Sequence, residues 1–177
     1  LSSRLVDRGY VKLDEEEAWL VVENLPDRSI PSLRAGITVT PIGPSEAGSF
    51  AEVFMAAFGM PVDFAPVLAR LLQSSLRASN AHHYLAVNEG EPIGTCSLLR
   101  HERFGVLGSA GVLPGHRRSG AATNLTVKAL TDARERGVDT VILQTTADAP
   151  LERLLRISGF TRAFTRSCYV LSNDFSD

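Results

Sequence analysis

Apolar positions along the chain recur with two periods, and the changes of period mark its elements. Residues 36–40 alternate as a half-buried strand does. Ser45 and Glu46 then introduce a helical stretch to about Phe58, with Phe50, Val53, Phe54 and Ala57 on one face. Gly59-Met60-Pro61 stops it, and Asp63 is placed to cap a second helix to about Ala78. Residues 83–87 and 93–99 read as strands joined by Asn88-Glu89-Gly90-Glu91-Pro92, a hairpin signal. A strand at 106–112 precedes a helix to about Arg136, with Ala122, Leu125, Ala129, Leu130 and Ala133 at helical spacing and Gly137 at its C′ position. A strand at 140–144 and a short helix at 151–157 follow, the latter stopped by Ser158-Gly159. Phe160 onward predicts two further strands, the last at 168–171.

Composition narrows the classes. The 177 residues suffice for one well-cored domain with an appendage. A formal net charge of −2 argues against a general nucleic-acid binder. No apolar run approaches membrane-spanning length and no secretory signal is visible, so a cytoplasmic protein away from membranes is expected. Cys96 and Cys168 lie far apart without metal-ligand spacing and read as reduced thiols rather than a disulfide. His82 and His83 have no third ligand nearby, and no metal is expected.

The strongest chemical signal is Val112-Leu-Pro-Gly-His-Arg-Arg-Ser-Gly-Ala-Ala122. A strand ends at Pro114, two arginines follow, and small residues open a helix. The first N–H groups of a helix have no partner within it and, with the helix dipole, favour anions. Gly115 and Gly120 have the spacing of a triphosphate loop, but Ala121 and Ala122 stand where lysine and hydroxyl are required. The dinucleotide Gly-x-Gly-x-x-Gly is absent as well. What remains is Arg117-x-x-Gly120-x-Ala122, or, on the plainer alternative, a helix start with two solvated arginines.

Arg117-x-x-Gly120-x-Ala122 resembles the coenzyme A pyrophosphate loop of the GNAT family of N-acetyltransferases, Arg/Gln-x-x-Gly-x-Gly/Ala. Leu154-Leu-Arg-Ile-Ser-Gly-Phe160 resembles the family's closing Leu-Tyr-x-x-x-Gly-Phe, and the hairpin at 87–94 is similar to its second and third strands. The order strand, two helices, three strands, helix, strand, helix, two strands is also the family's, and the resemblance covers residues 36–173. It implies an α/β (α+β) fold whose mixed central sheet, flanked by helices, splays between its fourth and fifth strands, here 106–112 and 140–144.

The resemblance implies acyl transfer from acetyl-CoA to a primary amine of a small molecule or protein, with no metal. The backbone of Ala110 to Val112 would bond the pantetheine amides as an added strand does. The N–H groups of Arg117, Arg118, Ser119, Gly120, Ala121 and Ala122, with the guanidinium of Arg117 or Arg118, would hold the pyrophosphate. An alkylamine of pKa about 10.4 is only about 0.04% neutral at pH 7, so the enzyme must remove a proton and stabilise a leaving thiolate. The family's tyrosine acid is Leu155 here, and its asparagine seven positions earlier is Asp148, which accepts rather than donates. His101 and Glu102, in the turn after the third strand, are candidate bases, and Tyr169 a candidate replacement acid. A solvated turn and a core tyrosine are the plainer readings of those positions. Phe50, Phe54, Phe58 and Phe64 line either an apolar acceptor pocket or, by helical spacing, the core. His116 is expected to pack against the loop. A coenzyme A-binding sensor or structural module without catalysis is the alternative function, and an unrelated α/β domain a third reading. A homodimer stays open.

The first thirty-five residues lie outside this pattern but echo its end. Leu5-Val-Asp-Arg-Gly-Tyr10 parallels Leu155-Arg-Ile-Ser-Gly-Phe160, and at the same offset residues 18–21 fall on 168–171. Residues 1–23 therefore read as the terminal hairpin of a preceding GNAT-like copy, with the acidic run 14–17 as its turn and 23–35, containing Pro26 and Pro31, as a linker. A chance match is the alternative. The start at Leu1 rather than Met leaves room for an upstream part. The expected division is an extension at 1–35 and the acetyltransferase-like domain at 36–177.

Overall fold

The computed structural model describes residues 2–172. In chain order the elements are helix α1 (Ser2–Val6), strand β1 (Tyr10–Val22), β2 (Ile37–Pro41), α2 (Ala47–Ala57), α3 (Ala65–Ser75), β3 (Ala81–Asn88), β4 (Glu91–His101), β5 (Phe104–Val112), α4 (Ala121–Glu135), β6 (Thr140–Thr146), α5 (Pro150–Ile157) and β7 (Thr161–Leu171). The strands form one mixed sheet in the order β2-β3-β4-β5-β6-β1-β7. Among the described residues only β5 and β6 pair in parallel, and α4 is the crossover between them.

Strand alternation divides the core into two layers. Tyr84, Ala86, Leu98, Leu107, Val141, Leu143, Ala18 and Leu20 face α4 and α5, meeting Leu125, Ala129, Leu130, Leu155 and Phe160. The opposite face meets α2 and α3 through Leu85, which packs with Phe50, Ala51, Val53 and Leu72. The β3–β4 turn is the tight hairpin its residues predict, with Glu89 and Gly90 both left-handed (φ 51° and 88°). Gly137 ends α4 at φ 76°.

Two expectations at the ends of the chain are corrected. Residues 10–22 form one strand, not a hairpin turning at 14–17, and residues 161–171 form one strand rather than two. The acidic run marks a bulge: Lys12 pairs with Tyr169 and Glu16 with Ser167, so residues 13–15 face a single residue of β7. The carboxylates need no solvated turn because basic and hydroxyl groups meet them. Lys12 Nζ donates to Glu16, Ser167 Oγ donates to Glu16, and Arg166 Nε donates to Glu17. β1 thus lies inside the sheet, antiparallel to both β6 and β7. The expected boundary at residue 35 therefore does not divide the sheet.

Candidate functional site

The site is built where β5 and β6 part. They pair from Phe104–Thr140 to Leu107–Leu143, and then β5 runs on to Val112 and β6 to Thr146 without pairing. A bulge accompanies the departure: Ser97 pairs with Gly108 and Thr95 with Gly111, so Ser109 and Ala110 together oppose Cys96. Ser109 is left-handed (φ 49°), and buried Thr95 donates its hydroxyl to the Ser109 carbonyl at 2.7 Å. The bulge takes Ser109 and Ala110 out of register, and Gly111 and Val112 rejoin β4 opposite Thr95 and Gly94 with their other side toward the opening. Gly111 lies so close to the end of α2 that a Cβ would stand 2.9 Å from that of Ala57 and 2.8 Å from the Phe58 ring.

The arginine loop follows at the open end. A short 3-10 turn at Pro114–His116 leads to Arg118 (φ 66°) and Gly120 (φ 103°), both left-handed. The N–H groups of Arg117 and Ser119 donate to the Pro114 and His116 carbonyls (both 3.4 Å), so those of Arg118 and Gly120, with the start of α4, are the donors the loop offers an anion. Arg117 Nη2 donates to the Ala57 carbonyl at 3.4 Å, tying the loop to α2, and Ala121 N donates to Ser119 Oγ at 3.3 Å. A Cβ on Gly120 would meet Arg34 Cδ at 2.9 Å. The segment carrying Arg34 is fixed by fully buried Asn124, which accepts from Arg34 N (2.8 Å) and donates to the Arg34 and Ile37 carbonyls (both 2.9 Å). Sequence reading missed this clasp, because a lone asparagine in a helix carries no signal of its long-range partners.

The two departures from the family motif have structural work of their own. Leu155 is buried in the core on α5. Asp148 is left-handed (φ 60°), and Arg162 donates to its carboxylate at 2.7 Å. Buried Glu152 accepts from the Asp148 N–H at 2.7 Å, from Arg156 at 3.0 Å and from Arg162 Nε at 2.8 Å. Arg162, against the cost of burial, holds the Glu152 carboxyl down to about 2.

Of the residues expected from sequence, the structure brings Ala110, Val112, Arg117, Arg118, Ser119, Gly120, Ala121 and Ala122 together around the opening. His101 and Glu102 lie elsewhere. His101 ends β4 opposite Phe104 and Glu102 opens the β4–β5 turn, next to the pairing of Phe104 with Thr140, at the closed end of the strand pair. Glu102 is left-handed (φ 51°) because the two-residue turn requires it. Tyr169 pairs with Lys12 on the β1–β7 ribbon, beyond Glu17–Thr146, the last pairing of β1 with β6. Neither location reaches the opening along the strands. Phe50 is core, while Phe58 is exposed beside Gly111 of β5, and Met60, Val62, Phe64 and Val67, on the segment that follows it, are exposed as well.

The α2/α3 face carries two further polar groups. Buried His83 lies between Ser75 Oγ (2.9 Å to Nε2) and Ser97 Oγ (2.7 Å to Nδ1), and its burial lowers the imidazole pKa. Glu17, opposite Thr146, puts a carboxylate at the open end of β6, two residues along β1 from Trp19 opposite Gln144. Its turn-like composition concealed it in the sequence. Among the described residues, no three His, Cys, Asp or Glu side chains are grouped as metal ligands.

Comparison with known proteins adds the following. The family model described as Acetyltransferase (GNAT) family matches residues 49–160. A GCN5-related N-acetyltransferase from Sphaerobacter thermophilus superposes with a TM-score of 0.78 at 24% identity, over 95% of this chain and 54% of that one. One from Kribbella flavida gives 0.67 at 22%, over 96% and 62%. A tandem GNAT protein from the clavulanic acid biosynthesis pathway gives 0.70 at 18%, over 95% and 56%. The chain thus spans somewhat more than half the length of these structures, and the likeness at these identities is one of fold. No curated protein matches the chain in sequence.

Proposed function

Because this chain belongs to the GNAT acetyltransferase family, we propose that it transfers an acetyl group from acetyl-CoA to a primary amine. The observation that carries the reading is the parting of β5 from β6, with the arginine loop at its open end. A pantetheine arm entering the opening would lie along the side of β5 that β6 has left, at residues 109–112, and a pyrophosphate would meet the N–H groups of Arg118 and Gly120 and the start of α4. Charge-assisted hydrogen bonds of this kind contribute about 1.5–3 kcal/mol each, so a few suffice to anchor the donor. No resident metal is part of the reading, and the donor thioester supplies the reactive carbonyl.

Glu17 is the carboxylate we infer to hold the amine's cation or receive its proton, on the strength of its position opposite Thr146, and in that role it shares its charge with the Arg166 guanidinium that bonds one of its oxygens. No acid is required from Leu155 or Asp148 if the thiolate leaves unprotonated. The exposed Phe58 ring beside Gly111 of β5, with exposed Met60, Val62 and Phe64 on the segment that follows it, favours an amine that carries an apolar group. We place the reaction in the cytoplasm, in keeping with the free thiols of Cys96 and Cys168.

A second reading, a coenzyme A-binding module without catalysis, is favoured by one observation. Leu155 is core and Asp148 is held by Arg162, so neither motif position offers a proton. Thiol release on mixing the protein with acetyl-CoA and a panel of alkyl- and arylalkylamines separates the two. Turnover with an apolar amine is expected. Saturable acetyl-CoA binding without turnover on any amine would establish the module instead.

A further inference from the structure

Beside the arginine loop lies a cavity of about 320 Å³ that the acyl-transfer chemistry leaves unused. Three stretches of chain meet at it: the segment before β2 with Pro31 and Arg34, the first turn of α4 with Thr123, and α5 with Arg153, Leu154 and Ile157. Its volume is at the lower end of the range for small-molecule sites. Pro31 and Leu154 are half-buried and Ile157 is 81% exposed, so the wall offers apolar surface to a flat ring.

Two arginines give the cavity a positive charge. Among the described residues, neither Arg34 nor Arg153 forms an ion pair. Arg153 also borders Asp148, Glu152 and Arg156, but those two carboxylates are bonded by Arg156 and Arg162 instead. Arg34 joins the cavity to the loop, because its Cδ lies against the position a Cβ on Gly120 would take, 2.9 Å away. Its backbone is held at both its N–H and its carbonyl by buried Asn124. The chain thus fixes where Arg34 stands while leaving its guanidinium to a ligand, which lowers the ordering cost of binding. Arg34 precedes residues 49–160, over which the family model matches, so the family motif does not supply it.

Coenzyme A has a second anionic group besides its pyrophosphate, the 3′-phosphate on its ribose. We propose that Arg34, together with Arg153, binds that 3′-phosphate, which makes the segment before β2 a specificity-determining part of the donor site. With the pyrophosphate on the loop and the pantetheine arm in the strand opening, the adenosine leaves the loop past Gly120 into the cavity. The apolar wall receives the base, and the two guanidiniums meet the phosphate through charge-assisted hydrogen bonds. The inference rests on the coenzyme A reading and goes beyond it by naming the residues that distinguish coenzyme A from a donor lacking that phosphate.

Calorimetric titration of coenzyme A and of 3′-dephospho-coenzyme A into the wild-type chain, Arg34→Gln and Arg153→Gln tests it, with circular dichroism confirming that all three are folded. The wild type is expected to bind coenzyme A more than tenfold more tightly than the dephospho form. Each variant is expected to lose most of that preference, through weaker coenzyme A binding alone. Equal binding of the two ligands by the wild type, or a preference that survives in Arg34→Gln, overturns the inference and leaves the coenzyme A reading standing. An equal loss for both ligands in Arg34→Gln also overturns it, and assigns Arg34 to the pyrophosphate. Binding of neither ligand by the folded wild type overturns the reading and the inference with it.

Discussion

Glu17 and His101 show how differently a residue reads alone and in place. In the sequence, His101 and Glu102 have the side chains a base needs, while Glu17 sits in an acidic run typical of a solvated turn. Pairing sets them apart: His101 ends β4 and Glu102 opens the β4–β5 turn, while Glu17, bonded by Arg166, lies beside the open end of β6. Glu17→Gln is expected to lower kcat more than tenfold at saturating acetyl-CoA while leaving its binding unchanged. His101→Gln and Glu102→Gln should leave kcat within about twofold, and stopped-time thiol assays of the three variants check both statements. Gly120 was legible, since a glycine before a helix of small residues advertises close approach and a permissive backbone. The left-handed backbone of Arg118 was not, because arginine has no preference for it and only the closed loop imposes it.

The elements between β2 and α5 could be read because each has a local cause. Hairpin glycine, helical apolar stripe and C′ glycine act over a few residues, so β3, β4, α4 and their order follow from the chain. The bulge in β5 was not legible. Gly-Ser-Ala-Gly permits many conformations, and it takes Thr95 on the neighbouring strand to select one by bonding the Ser109 carbonyl. Thr95→Val keeps the shape and removes that donor. Urea unfolding should show a loss of about 1 kcal/mol, and acetyl-CoA affinity should fall with it, since the bulge sets the backbone of residues 109–112. Unchanged affinity with the stability loss would separate the bulge from the site. β1 and β7 each read as two strands in the sequence and are one strand each in the fold. Their charged residues look solvated in sequence, yet they satisfy one another across the ladder, as Glu17 and Arg166 do.

At the scale of the molecule, two cores on opposite sides of one sheet set the stability, and groups whose pKa the fold shifts, His82, His83 and Glu152 among them, give it a pH profile. Burial lowers the pKa of His83 below the usual value of about 6.5, so the unfolded chain binds that proton first. Its contribution is complete above about pH 6.5 and is lost as pH falls below that. Glu152, held down to about 2 against an ordinary 4.5, adds a second loss as pH falls from 4.5 toward 2. Urea midpoints should be flat from neutrality to about pH 6.5 and then decline, and His83→Gln should flatten the first part of that decline. The same whole-molecule view gives the site its meaning, since the loop, the bulge and the parted strands converge only when the sheet is assembled. The most direct test is calorimetric titration of acetyl-CoA into the wild-type chain and into Gly120→Glu, with circular dichroism confirming that both are folded. The account expects saturable binding to the wild type and none to the variant, whose side chain and negative charge would occupy the anion-binding loop. Equal binding by both, or no binding by the folded wild type, would contradict it.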